Sequence, residues 1–402
     1  MKYTFIFTLL IAACSGNESN TNLAESSDIV TININVEDAK PIFMSEFFSD
    51  IKYFPLSNPT GEPVGSIFKI MTQEDKIALY DKPKKSVWIY TDDGEYLNEV
   101  KIPQGQGPGE LEHISDVYFD EQFNIHAMGA FKFVKLSMDG ELLNETQFDL
   151  FARYLIYIAD DSTYYGFADG NPNARIPEQH KGYDLFAFND DGRITNSYVP
   201  IEVNKQGISY GIPNYFPEFD GQNYFFKHLD DTIYEVKNNR VEPAYLLDFG
   251  DQALNDEVFE KRSDYGEEIW EWTDFWENEI VANDYIVFKT NFEITDRYIH
   301  SRVGNTKSNY MVLYDRVKKT THVGEEKFVN DIDNGPSPFI YLSSDEHLYS
   351  YVDAYTFLGH LNEVYENDRE KYFSDEMSRL RTIANSMREE SNPILMRLDF
   401  KK

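Results

Sequence analysis

Cysteine is almost missing from this 402-residue chain: Cys14 is the only one, so no intramolecular disulfide can brace the fold. Basic residues are also scarce. The chain has 37 Lys and Arg against 70 Asp and Glu, a formal net charge of −33. A phosphate backbone demands a cationic surface, so this balance argues against nucleic acid as a partner and against lying flat on anionic lipid. Acidity of this degree keeps exported proteins apart in solution. Long apolar runs are missing too. Residues 3–13 form one near the N-terminus, but a spanning helix needs about 20 residues. No His-x-x-x-His pair and no Gly-rich run followed by Lys-Ser/Thr occurs, which removes the commonest sequence signatures of zinc hydrolysis and phosphate binding.

What the N-terminus does contain is a secretion pattern. Lys2 precedes the apolar run, and the small pair Ala12-Ala13 stands directly before Cys14. Ile11-Ala12-Ala13-Cys14 resembles the bacterial lipobox, in which cleavage precedes a Cys whose thiol then carries lipid. That resemblance implies a signal peptide at 1–13, lipid attachment at Cys14, a membrane partner reached through that lipid, and a polar tether over 14–27. Acyl chains anchor stably because each buried CH₂ contributes roughly 0.8 kcal/mol.

The rest of the chain, 28–402, is aromatic-rich, with 28 Tyr and 30 Phe, a composition that favours strands. It also repeats. Residues 76–100, 124–146 and, across an inserted loop, 162–170 with 183–198 each carry a short apolar strand, a second one, an Asp-Gly pair and a third. Gly94, Gly140 and Gly192 lie 46 and then 52 positions apart. Asp-Gly between alternating apolar runs predicts a hairpin with a type I′ turn, and Asn238-Asn239 replaces it in a later copy. Six copies fit, over about 64–101, 111–150, 151–203, 214–250, 280–325 and 331–400. Four-stranded units at this period predict an all-β, six-bladed β-propeller with antiparallel blades. The early strands at 29–35 and 50–57 are both expected in the last blade, where they would close the ring and remove an exposed edge.

Two segments break the strand pattern and predict helical insertions, near 251–279 and 359–391. In the first, Trp272 and Trp276 lie four apart around Phe275, an aromatic helix face expected to pack on the propeller. Residues 102–120, IPQGQGPGELEHISDVYFD, hold three glycines and a proline in a tight connector between blades. Glu110 stands either to cap that loop's amides or to face the channel.

This connector, the strand DDTIYEV at 230–236, NDIDNGPSPFIY at 330–341 and the closing NPILMRLDFK together resemble the six-bladed propeller lipoproteins of Bacteroidetes, which are related to NHL-type propellers. The resemblance spans nearly the whole mature chain. It implies the fold and an envelope location at the outer membrane, and says little about activity.

Candidate ligand residues follow from where a propeller converges. His113 lies just after the glycine loop, where the second inner strand should start, and His228 and Asp331 hold comparable places in later blades. Asp331 and Asp333 alternate as calcium ligands do, though no terminal Glu follows at EF-hand spacing and an Asx-type turn fits better. No cofactor is indicated; Ca²⁺ or Zn²⁺ stay open as channel ligands. Two functions are carried forward. One is a non-catalytic module binding a glycan, a peptide or an envelope protein. The other is an NHL-like lyase or hydrolase with a metal-assisted channel site.

Overall fold

The computed structural model describes residues 29–401 apart from 58, 60, 159–161, 203–204, 206–210, 213, 266–272, 341 and 344–346. The expected signal peptide, Cys14 and its tether therefore lie outside the described residues, as does Trp272. Among the described residues the strands form six sheets. Blade one is Ile67–Gln73, Lys76–Asp81, Ser86–Thr91 and Tyr96–Lys101; blade two is Asp116–Phe119, Ile125–Met128, Lys132–Leu136 and Leu142–Gln147. Blade three is Tyr154–Ile158, Thr163–Phe167, Tyr183–Phe188 and Ile194–Pro200. Blade four is Glu218–Phe219, Gln222–Phe226, Thr232–Lys237 and Arg240–Asp248. Blade five is Phe288–Ile294, Tyr298–Gly304, Asn309–Asp315 and Thr320–Glu325. Blade six joins Leu342–Ser343, His347–Val352 and Ile394–Phe400 to Phe48–Pro55 from near the other terminus. The fold is an all-β, six-bladed propeller with four-stranded antiparallel blades.

Only one of the two early strands closes the ring. Phe48–Pro55 pairs antiparallel with Ile394–Phe400. The other, Val30–Asn33, was expected beside it. Instead it lies parallel on the outer strand of blade four, Val30 opposite Tyr245 and Asn33 opposite Asp248. The reason is apolar: Ile32, Ile34 and Val36 alternate along the chain and bury themselves in the cluster shared by blades three to five. From there the chain runs as a strap across the outer rim. Lys40 bridges to Gly324 and Phe43 to Val329, so blades four, five and six are stitched from outside.

The Asp-Gly hairpins also differ from expectation. Gly94, Gly140 and Gly192 have φ of +89°, +83° and +74°, but the aspartates before them are not in the left-handed region. Gly94 N donates to Thr91 O, and Thr91 N donates to Glu95 O. That is a type I turn followed by a bulge glycine, one residue longer than a type I′ loop. Thr91, Ser137 and Asn189 hold this geometry by accepting from the backbone N of Glu95, Glu141 and Arg193. Asn238-Asn239, with φ of +52° and +55°, is the true two-residue turn, and Lys237 pairs directly with Arg240.

The aromatic content is explained between the blades. Phe133 meets Tyr164 at 4.5 Å across blades two and three, and Phe167 meets Phe225 at 5.0 Å across three and four. Each such ring, fully buried, stabilises the fold by roughly 1.5–3 kcal/mol. In the first insertion Phe275 is the fully buried ring, packed with Val258 and Phe259, while Trp276 is partly buried against them. The second insertion starts earlier than expected. Asp353 accepts from Thr356 N and caps a helix, Ala354–Asn367, that converts the strand-like Tyr355-Thr356-Phe357 into its first turn. Among the described residues no helix is long and apolar enough to cross a membrane.

Candidate functional site

Each blade is an antiparallel meander entered from its inner strand, so all inner strands run the same way around the channel. Their first residues gather at one end, with the crossovers between blades. Their last residues gather at the other, with the tight turns.

The crossover end is filled with buried ion pairs between blades. Lys69 Nζ of blade one lies 2.9 Å from Asp116 Oδ1 of blade two, and the other oxygen of Asp116 accepts from Leu155 N of blade three at 3.0 Å. One carboxylate thus holds three inner strands. Lys227 meets Asp184 at 2.8 Å, joining blades four and three, and Asp184 also accepts from Gly170 N. Lys289 meets Asp231 at 2.6 Å, joining five and four. Charges taken from water at this cost need such partners, and they stay where removal of either partner is more damaging still.

The turn end is open. A cavity of about 210 Å³ is bounded by the inner strands of blades one to four. Phe119, Phe216, Phe219 and Tyr118 supply rings; Thr72, Gln73, Glu218 and Asp220 supply polar groups; Lys69 stands toward the crossover end. Phe119, Phe216 and Phe219 are buried while Glu218 and Asp220 are exposed. The Tyr118 hydroxyl makes no hydrogen bond among the described residues. Burial, followed by the negative charges of Glu218, Asp120 and Glu121, raises it well above an ordinary phenol, so it stays neutral and can donate. Rings on the walls, a spare donor and an amide at the rim can orient a small amphiphilic group.

The residues chosen from sequence scatter. His113 is exposed and lines a separate hollow of about 270 Å³ with Glu110 and Phe131, beside blade two. Glu110 caps its own loop: it accepts from Gly107 N at 2.9 Å. Glu145 likewise accepts from Gly109 N at 2.5 Å, which fixes the loop as a rigid connector. His228 is buried, its Nδ1 3.2 Å from the Tyr215 hydroxyl and 3.7 Å from Asp169 Oδ1. Asp331 accepts from Ser45 N at 2.8 Å and Ser45 Oγ at 2.5 Å, clasping the strap to blade six. Asp333 accepts from Asn330 Nδ2, Gly335 N and the Tyr53 hydroxyl. Both aspartates are thus engaged by backbone and hydroxyl donors, but only Asp333, through Gly335 N, makes the expected Asx-type bond; Asp331 instead reaches across to Ser45. Among the described residues no three His, Cys, Asp or Glu side chains converge as metal ligands.

Residues 28–399 match a family described as a domain of unknown function, DUF4934. The chain belongs to that family. A solved structure of a Bacteroides fragilis protein, named for its inferred export, superposes with a TM-score of 0.71 at 18% identity, covering 93% of this chain and all of that one. A member of the DUF4221 family from Bacteroides vulgatus gives 0.49 at 10% identity, covering 88% and 97%. The β-propeller domain of the Trilobed protease from Pyrococcus furiosus gives 0.34 at 14%, covering 69% and 73%. No curated protein matches the chain. The Bacteroides fragilis structure shares the fold, and the family match spans the whole propeller.

Lys69, Asp116, Tyr118, Gln73, Glu218 and Asp220 were missed from sequence. Their signal is positional: each sits on an inner strand of its repeat, or in the turn that follows one.

Proposed function

We propose that this family member is an exported, lipid-anchored binding module of the cell envelope, held through Cys14 at the outer membrane, with its ligand site at the turn end of the channel. The ligand is a small molecule or a single ring or side chain of a glycan, peptide or envelope protein. The ring-lined cavity beside Tyr118 carries this reading, because it combines buried aromatic walls with an unengaged donor and polar groups at its mouth. Its volume of about 210 Å³ is below the range of drug-sized pockets, so it suits one ring at a time. Export is supported by the lipobox-like run at 11–14 and by the inferred export of the Bacteroides fragilis protein that shares the fold.

The test is to probe glycan and peptide arrays with the mature protein and with Thr72→Trp, which fills the cavity from its wall. Hits that vanish in the variant, at unchanged melting temperature, are expected. Hits that persist in it place binding elsewhere and overturn the assignment.

A further inference from the structure

We propose that the turn-end cavity selects an uncharged sugar ring, the terminal pyranose of a neutral glycan, and rejects its acidic and amino counterparts. The inference rests on reading the cavity as the binding site and goes further by fixing the class of ring that enters it.

None of the charges around the cavity is spare. Lys69 is paired with Asp116 at 2.9 Å, and the second oxygen of Asp116 accepts from Leu155 N. Glu218 and Asp220 line the cavity, and each already has an interaction partner within the fold. Arg316 donates to the carbonyls of Thr295 and Asp296, and its guanidinium lies 4.6 Å from the centre of the Phe219 ring. Both signs of charge are therefore present. A charged ligand would lose hydration on entering and meet no unpaired opposite charge to offset the loss.

The groups left over are neutral. Four half-buried side chains of the lining carry groups with no hydrogen bond among the described residues: the Thr72 hydroxyl, the Gln73 carboxamide, the Tyr118 hydroxyl and Asn214 Nδ2. Asn214 Oδ1 accepts from Phe216 N at 3.0 Å, so the amide nitrogen is its free end. The set mixes donors with acceptors, and alcohol groups match it because each hydroxyl does both. A carbonyl or a phosphate only accepts, and would leave the Gln73 oxygen unpaired. A phenyl side chain would cut all four groups off from water with nothing in return, a cost each of them bears separately.

The rings complete the match. Tyr118, Phe119, Phe216 and Phe219 line the same cavity, and the face of an aromatic ring is its electron-rich side. A pyranose presents a face of apolar, slightly positive C–H groups that packs on such a surface, with hydroxyls around its edge for the polar side chains. At about 210 Å³ the cavity takes one such ring, so recognition falls on a chain end.

Calorimetric titration of the mature protein with the methyl glycosides of glucose, galactose and mannose, each beside its uronate and 2-amino counterparts, tests this. At least one neutral glycoside should bind saturably, and at least about tenfold tighter than its charged counterparts. Gln73→Met keeps the length of the side chain and removes its donors and acceptor; it should weaken that glycoside about fivefold at unchanged melting temperature. Tyr118→Phe should weaken it by a similar factor. Raising NaCl from about 50 to about 500 mM should leave the neutral ring unmoved. A uronate or amino sugar bound as tightly as the neutral ring, binding that weakens with salt, two unaffected variants or no saturable binding of any glycoside would each overturn the sugar assignment. Charged or peptide ligands lost in Thr72→Trp would do so while leaving the cavity as the binding site. Array hits unaffected by Thr72→Trp would remove both.

Discussion

The two ends of the channel are built from the same inner strands and have opposite characters. At the crossover end charged side chains are numerous, buried apart from the half-buried Asp231, and spent on one another: Lys69, Asp116, Lys227, Asp184, Lys289 and Asp231 tie blades one to five together. At the turn end the polar groups are fewer and face a cavity, and the Tyr118 hydroxyl is left without a hydrogen bond among the described residues. Charge in a propeller channel is therefore a poor guide to function unless one asks what already satisfies it. Here the ion-paired end joins the blades, and on the proposed reading the turn end is where a ligand has something to gain.

Asp116 offers the harshest test of that contrast. Asp116→Ala strands a buried ammonium and frees a backbone amide on blade three, and should cost about 3–5 kcal/mol in chemical denaturation. Replacing both partners, Lys69→Met with Asp116→Leu, should recover most of the loss. If the single change were silent, the crossover end would not be the structural end.

Acid provides an intermediate perturbation, aimed at a group in blade five outside both ends. His300 is buried, its Nδ1 3.3 Å from Asn291 Nδ2, and burial, with Arg302 adding repulsion, pushes the imidazole down to about 3. The unfolded chain takes up this proton below about pH 6.5 and the folded one does not. Stability from this group is complete above that pH and falls as pH drops toward 3, by up to about 1.4 kcal/mol per unit. His300→Gln should flatten the pH dependence of denaturation over that window. An unchanged slope would mean the imidazole is not held neutral.

The smallest effect is expected at the turn end. Tyr118→Phe removes a hydroxyl that contacts no acceptor, so stability should move by less than about 0.5 kcal/mol, while any channel ligand that accepts from it should bind more weakly. A loss as large as that of Asp116→Ala would erase the distinction between the ends.

The sequence carried the fold clearly because a propeller is written locally. Asp-Gly pairs at 93–94, 139–140 and 191–192 mark the same hairpin in successive blades, and apolar alternation sets the strands around them. Even there, the type of turn was misjudged, because whether one or two residues adopt positive φ depends on a bulge in the partner strand. The site was hardly legible. His113, His228, Asp331 and Asp333 attract notice by residue type, yet His113 is exposed in a separate hollow, and the surroundings of the other three are set by Tyr215, Asp169, Ser45 and Tyr53, which meet them only in the fold. Tyr118 and Asp220 look ordinary in the chain. They become neighbours of one cavity only when four repeats are bent around one axis, and no local pattern records that.

The strap on the outer rim has a mechanical consequence. Val30–Asn33 lies parallel to Arg240–Asp248 over four consecutive residue pairs, and the chain continues past Gly324 and Val329 to the closing strand. Tension applied ahead of Val30 runs along that strand, so it shears the ladder as a unit and does not unzip it bond by bond. Any load that survives is passed to the rims of blades five and six. In blade four, which contributes to the cavity, the inner strand lies furthest from the strap in its sheet. A protein held by this end would take the load first on its outer rim, through a strap whose Ile32, Ile34 and Val36 share one apolar cluster with Phe216 and Phe219 of the cavity wall.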